Sequence, residues 1–347
     1  MRIRFYENAD RQRWNAFVEG HPQGTPFHRI AWKDVVERAF GHRSVYLLAE
    51  EGGAVARPGR IVGVLPLFEI RSVLFGRYLV SVPFAELGGP LAQDVGTAQA
   101  LVDQAAALCR REGLDYLELR NREPLDGYPV KTLYANFSRA LAPNPDDNLK
   151  AIPRKSRRMV RVGMKAGLRS DTGHQWLDTF YDILAANYHR LGTPIFPKKF
   201  FRHFLAAFGR HADILVVRTA EGRPVAAVLS FFFRDTVMPY YAGSLVEYRA
   251  LAPNDFMYWE LMRRSCLAGY RRFDFGRSKK GSGSYAFKVH WGFEPKPLAY
   301  QYVLHRMATM PDLSPANPAY QWKIALWRKL PGWAARLLGP PVARYLA

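Results

Sequence analysis

The sequence predicts two mixed α/β lobes built from one duplicated unit. The prediction rests on short apolar strand-like runs, helices that stop at glycines before a further strand, and recurrence of that order along the chain. Thr25-Pro26-Phe27 opens a segment that reaches Phe40-Gly41, and Thr193-Pro194-Ile195 opens one that reaches Phe208-Gly209, displaced by 168 positions at both ends. Apolar runs follow at Val45–Ala49 and Ile214–Val217, each ending in an acidic-glycine turn, Glu51-Gly52 or Glu221-Gly222. IVGVLPLF (Ile61–Phe68) then aligns residue for residue with VAAVLSFF (Val225–Phe232). Helices are predicted over Thr97–Glu112 and Asp255–Ala268, stopped by Gly113 and Gly269. A strand follows each, LDYLELR (Leu114–Arg120) or YRRFDFG (Tyr270–Gly276).

The join falls near Pro143–Asp147, a turn-rich stretch. The expected domains are 1–145, 146–310 with the probable active site, and a basic tail over 311–347. A helix is expected over Lys155–Lys165. In the tail, Trp322, Leu326, Leu330, Trp333 and Leu337 recur at three- and four-residue steps, with Pro331, Pro340 and Pro341 expected to interrupt the stripe. The tail either packs on the body or forms an amphipathic foot on an anionic membrane.

Composition narrows the class. A hydrophobic content of 48% with 14% aromatic excludes a disordered chain. No apolar run reaches the roughly 20 residues of a membrane helix, and the N-terminus lacks the apolar core of a signal peptide. Two cysteines give no disulfide framework. A cytoplasmic monomer is expected, with peripheral contact at the inner face of the cell membrane if the tail is a foot. The net charge of +20 calls for an anionic partner. Eight basic and no acidic residues lie between Asn148 and Ser170; five basic and no acidic lie between Ser314 and Ala347. Each run is either a solvated face or an anion-binding one.

Several chemistries find no support. The histidines are dispersed and no C-x-x-C occurs, so no metal is expected. No G-x-S-x-G elbow is present. GRSKKGS (Gly276–Ser282) lacks the lysine of a phosphate loop, and GSGSYA (Gly281–Ala286) lacks the βαβ setting of a dinucleotide site.

Phe273–Phe293 is the most informative segment. Phe273 and Phe275 alternate with Asp274 and Gly276, as in a strand with one buried face. A carboxylate at such a strand end is either tied to a neighbour or used. A flexible GSGS loop is expected next, whose glycines let backbone amides approach an oxyanion or phosphate. Lys288, among Tyr285, Phe287, His290 and Trp291, offers a fixed cation for charge developing in acyl transfer. The alternative is a β-hairpin of core aromatics and solvated lysines.

FDFGRSKKGSGSYAFKVHWGFEP, preceded by NDFMYWELMRR (Asn254–Arg264) and GTPIFPKKFF (Gly192–Phe201), resembles the FemAB family. It looks like the FemAB-related proteins found beside PEP-CTERM/exosortase and exopolysaccharide loci. The likeness spans almost the whole chain, including HPQGTPFH, GVLPL, SVPFAELGGP and YLELR in the first half. The resemblance implies tandem GNAT-like (acyl-CoA N-acyltransferase-like) domains and acyl or aminoacyl transfer. A lysine in a Phe-Lys motif supports the transferring group in family members, and Lys288 matches it. The long coiled-coil insertion of peptidyltransferases is missing, and so is the Q/R-x-x-G-x-G/A loop that holds coenzyme A in ordinary acetyltransferases. The donor is therefore aminoacyl-tRNA or acyl-CoA, with no tightly bound cofactor.

The resulting expectation is direct transfer to an amine or hydroxyl of a sugar-containing, lipid- or nucleotide-linked acceptor. Lys288 would stabilise the oxyanion or leaving group, Asp274 position or deprotonate the nucleophile, and Tyr285 donate a hydrogen bond. Arg154 and Arg158 would grip a phosphate. Tyr240, Tyr241, Asn254, Arg277, Ser278, Lys279, Gly281, Gly283 and Trp291 would complete the substrate site. Lys288→Ala is expected to slow transfer about a hundredfold with little change in folding. A non-catalytic component of a polysaccharide machine and, from charge alone, an RNA-binding protein are the other readings.

Overall fold

The computed structural model describes residues 1–52, 58–72, 76–311 and 318–346. In chain order these form β1 (Arg2–Phe5), α1 (Arg11–Gly20), α2 (Ile30–Phe40), β2 (Arg43–Ser44), β3 (Leu47–Glu51), β4 (Arg60–Leu65), β5 (Phe68–Ser72), β6 (Gly76–Val80), β7 (Leu91–Ala92), α3 (Val95–Arg111), β8 (Tyr116–Asn121) and β9 (Val130–Lys131). There follow β10 (Tyr134–Ala140), α4 (Pro145–Ala151), α5 (Arg154–Lys165), β11 (Arg169–Thr172), α6 (Leu177–Leu191), α7 (Lys198–Phe208), β12 (Ala212–Arg218), β13 (Pro224–Phe233), β14 (Thr236–Ser244), α8 (Pro253–Leu267), β15 (Arg272–Lys279), α9 (Gly283–His290), β16 (Pro295–Pro297), β17 (Ala299–Leu304), α10 (Pro318–Lys329) and α11 (Gly332–Ala343).

The chain divides into two units that are not consecutive stretches. One holds Met1–Leu133, Pro297–Asp312 and Arg344–Ala347; the other holds Tyr134–Lys296 and Leu313–Ala343. β10 therefore sits in the second unit's sheet, antiparallel to β15, with Ser138 opposite Asp274. β17 sits in the first unit's sheet, antiparallel to β8, with Tyr302 opposite Glu118. The expected division into 1–145, 146–310 and 311–347 does not contain this exchange.

The duplicated run folds differently in its two copies. Val225–Phe232 lies within one continuous strand, β13, of a single sheet ordered β11-β12-β13-β14-β15-β10-β16. Its first-half counterpart is broken at Pro66, which aligns with Ser230. Proline offers no amide to a ladder, so the strand ends there. β4 goes to a sheet ordered β1-β3-β4-β7 and β5 to one ordered β2-β5-β6-β8-β17-β9.

The helix predictions hold closely. Asp94 caps α3, its side chain accepting from the Thr97 amide, and Pro253 opens α8 at a position that needs no amide. Gly113 and Gly269, just beyond their ends, have φ of 61° and 86°. The first core centres on Leu101, Val102, Leu117 and Leu119 under α3, and the second on Phe137, Val228, Met257, Phe273 and Trp291 under α8. The tail is two helices split at Pro331, and Pro340 and Pro341 lie inside α11 instead of ending it. Residues 312–317 of the tail and Ala347 lie outside the described residues.

Candidate active site

β15 leaves regular strand geometry at Gly276. Successive carbonyls of a strand point to alternate sides. Here those of Phe275, Gly276 and Arg277 all accept from Lys288 Nζ, at 2.7, 2.8 and 3.0 Å. Gly276 permits this with φ of 67°, a conformation that costs an L side chain about 1–2 kcal/mol. The register against β10 slips at the same place, between Asn136 and Ser138. Asp274 closes the bulge: Oδ1 accepts from the Gly276 amide at 2.8 Å, and Oδ2 from Asn136 Nδ2 at 3.2 Å. Asp274 and Lys288 are both buried.

Lys288 is delivered by α9, and two expectations are corrected there. The GSGS stretch is the start of this helix, since Ser282 Oγ accepts from the Tyr285 amide at 3.2 Å and donates to the Lys279 carbonyl at 2.7 Å. Residues 283–290 are helical, so the hairpin alternative falls with the flexible loop. Lys288→Ala cannot leave folding untouched either. An ammonium has three protons to donate, three carbonyls take them, and removal would strand those acceptors in a buried place.

β14 and β15 run parallel but pair only at Thr236↔Arg272 and Val237↔Phe273. Beyond those residues the two strands continue without pairing to each other. Asp274 is thus the first residue of β15 past the fork. β14 also bulges against β13: Leu229 faces Tyr241 but Ser230 faces Pro239, leaving Tyr240 as the extra residue.

The remaining expected site residues scatter around this fork. Arg277 is half-buried with its guanidinium 4.6 Å from the centre of the Tyr134 ring. Ser278 is buried, its hydroxyl without a hydrogen-bond partner among the described residues. Lys279 is half-buried at the end of β15, and Asn254 is half-buried in the first turn of α8. Gly281 and Gly283 are exposed, and a Cβ on either would meet nothing within 4 Å. Tyr285 packs edge-on to Phe137 at 5.0 Å.

Two expected cleft residues belong to the core instead. Tyr241 is ringed by Phe196, Phe200 and Phe201 at 5.8, 5.8 and 5.3 Å, and burial pushes its phenol far above the ordinary range. Trp291 is fully buried, and its indole N–H donates to Asp255 Oδ1 at 3.0 Å. Burial in turn raises the Asp255 carboxyl, against the lowering effect of that hydrogen bond. Aromatic bulk, taken in the sequence as cleft-lining, here fills the interior.

Arg154 and Arg158 are not brought to the bulge. With Arg161 and Lys165 they recur at i, i+4, i+7 and i+11, one exposed ridge of α5. The opposite face buries Ser156, Val160 and Gly163. A Cβ on Gly163 would come within 2.7 Å of Phe256 on α8, and Ser156 Oγ donates to the His290 carbonyl at the end of α9 at 2.8 Å. Among the described residues, no carboxylate pairs with the four cations of the ridge.

Sequence reasoning missed Asn136, which reaches Asp274 from a strand assigned to the other half of the chain. Nothing local in YANFS marks it. Among the described residues, no cluster of three His, Cys, Asp or Glu could hold a metal ion. The first unit has its own cavity of about 840 Å³, lined by Phe17, His21, Leu87, Pro90, Asn121 and Arg122 among others.

Residues 147–289 match the family model of the acetyltransferase (GNAT) domain. No curated protein matches the sequence. Among solved structures the chain is similar to FemX, with a TM-score of 0.65 and 16% identity over 93% of this chain and 99% of that one. It is similar to the C-terminal domain of a putative lysylphosphatidylglycerol synthetase from Agrobacterium fabrum, with a TM-score of 0.56 and 14% identity over 85% and 92%. A tandem GNAT protein from the clavulanic acid biosynthesis pathway gives 0.53 and 13% over 90% and 100%. The chain thus has the mixed α/β fold seen in FemX and the tandem GNAT protein, and the match to the acetyltransferase (GNAT) domain model lies within its second half.

Proposed function

We propose that the protein transfers an activated acyl or aminoacyl group to an amine or hydroxyl of a sugar-containing, lipid- or nucleotide-linked acceptor. The carrying observation is the fork between β14 and β15, with a buried carboxylate at its base and a buried cation behind it. Strands that part leave room between them for an extended partner, and the arm of an acyl donor is such a chain. Asp274 receives or orients the nucleophile's proton. Lys288 acts through its charge on the bulge, because its own protons are engaged by carbonyls. The α5 ridge grips a phosphate of donor or acceptor, and Arg277, Ser278, Lys279 and the first turn of α9 line the approach. The setting is cell-envelope or exopolysaccharide synthesis in the cytoplasm, as the resemblance to PEP-CTERM-associated FemAB proteins suggests.

The match of residues 147–289 to an acetyltransferase domain favours acyl-CoA as donor, whereas the FemAB resemblance and the arginine ridge favour aminoacyl-tRNA. Thermal shifts with acetyl-CoA, charged tRNA and a nucleotide-linked sugar, at low and high salt, separate these. A shift with one donor plus the sugar supports transfer. No shift with either donor, while the sugar still binds, turns the reading to a non-catalytic sugar-binding component.

A further inference from the structure

We infer that the outer face of α10 and α11 is a docking surface for an anionic lipid bilayer. An ordinary surface helix has one apolar face, and it is buried. Here the inward face already has its partner. Ala334, Ala335, Gly339 and Ala343 are buried, and a Cβ on Gly339 would come within 2.9 Å of Ile195. Arg336 Nη1 donates to Asp182 Oδ1 at 2.6 Å, and Arg328 Nη2 to the Leu191 carbonyl at 3.1 Å, so both helices are seated on α6. Yet the outward face is apolar too. Trp322, Leu326, Trp333 and Leu337 are 62, 57, 71 and 68% exposed, with Leu338 and Val342 beside them. Few soluble surfaces leave such side chains together in water without a use for them.

Charge selects the occupant. No acidic residue lies between Ser314 and Ala347, and the chain carries +20. A second copy would bring like charge against like, whereas anionic headgroups are complementary. The side chains suit that depth. The Lys323 ammonium lies 5.6 Å from the Trp322 ring centre, Lys329 falls seven residues after Trp322 on the same outer stripe, and tryptophan with lysine is the pairing that anchors at a headgroup boundary. Among the described residues no helix is long and apolar enough to cross a membrane, so this contact lies in the interface. The inference does not depend on the transfer chemistry.

Sedimentation of the full chain with vesicles tests it. Vesicles of phosphatidylglycerol and phosphatidylcholine in equal parts should carry the protein down at low salt, and phosphatidylcholine alone should not. Trp322→Ser, Leu326→Ser, Trp333→Ser and Leu337→Ser together should weaken binding about tenfold or more with an unchanged melting temperature. Lys323→Gln with Lys329→Gln should weaken it roughly fivefold per lysine, and this pair decides the matter if the serine variant melts early. Sedimentation velocity without lipid supplies the rival outcome. A dimer that the serine variant dissolves, failure to bind the anionic vesicles, or equal binding to neutral ones would each overturn the inference.

Discussion

The two lobes carry the same fork and treat it in opposite ways. In the first, β6 and β8 pair in parallel only at Leu79↔Leu117 and Val80↔Glu118. The chain's own loop then fills the gap. The Ser81 amide donates to the Glu118 carbonyl, and those of Gly88 and Gly89 to the Arg120 carbonyl. Arg120 is 3% exposed; it pairs with Glu118 at 2.9 Å and holds the carbonyls of Val82 and Ala85 at 3.3 and 2.6 Å. In the second lobe, Asp274-Phe275-Gly276 occupies the equivalent strand, and the ladder between β14 and β15 reaches no further than Val237↔Phe273. Duplication has thus yielded one braced fork and one open one, with arginine in the brace where the open copy has glycine.

The largest effect should come from separating the lobes. A 1–145 fragment lacks β17, so β8 keeps an unpaired edge; it should be recovered unfolded or aggregated, and a cooperative melt by circular dichroism would break the claim of exchange. Next, Arg120→Met should destabilise the whole protein by about 3–5 kcal/mol, because Glu118 and two carbonyls lose their partner in the interior. Transfer per folded molecule should not change. Lys288→Met gives the contrasting pattern: about 3 kcal/mol of stability from the stranded carbonyls and a further loss of about a hundredfold in transfer measured on the folded fraction. If both variants lost activity only in proportion to unfolding, the forks would be alike after all.

Acid should weaken the braced lobe. His28 is buried, with Nε2 2.9 Å from the Gly89 carbonyl and Nδ1 2.7 Å from Thr25 Oγ1. Burial lowers it from 6.5 to about 4, against the opposing hydrogen bond to the Gly89 carbonyl. The unfolded chain takes a proton below about 6.5 that the folded chain refuses until about 4. Stability attributable to His28 is complete above that window and falls as pH drops through it, by up to about 3 kcal/mol. His28→Gln should flatten the difference in urea midpoints between neutral and acid pH. The smallest effect belongs to Gly283→Ala. The site has room for a methyl, and alanine in a helix is worth up to about 1 kcal/mol over glycine. Unchanged transfer would remove Gly283 from the ligand contacts.

Local patterns made the repeated order of elements and the helix ends legible. The helix stops at Gly113 and Gly269 were readable because glycine there answers a local backbone demand. What stayed hidden depends on partners distant in sequence. Asn136 meets Asp274 only because β10 joins a sheet from the other half, and no periodicity encodes that. Trp291 and Tyr241 were misassigned because an aromatic residue beside polar ones reads the same whether it faces a ligand or the core. Pro66 could have been read: a proline opposite a serine in otherwise matching strands marks where one sheet must become two.

The exchange of β10 and β17 also sets an order of events at the ribosome. β8 ends at Asn121, but the strand that covers its edge ends at Leu304. At roughly 5–20 residues per second, the first lobe waits about ten to forty seconds with an open strand edge, the kind of edge that recruits foreign strands. The loop clamped by Arg120 needs only residues already synthesised. It can brace the other side of β8 during that interval, which gives the closed fork a use in birth as well as in the finished molecule.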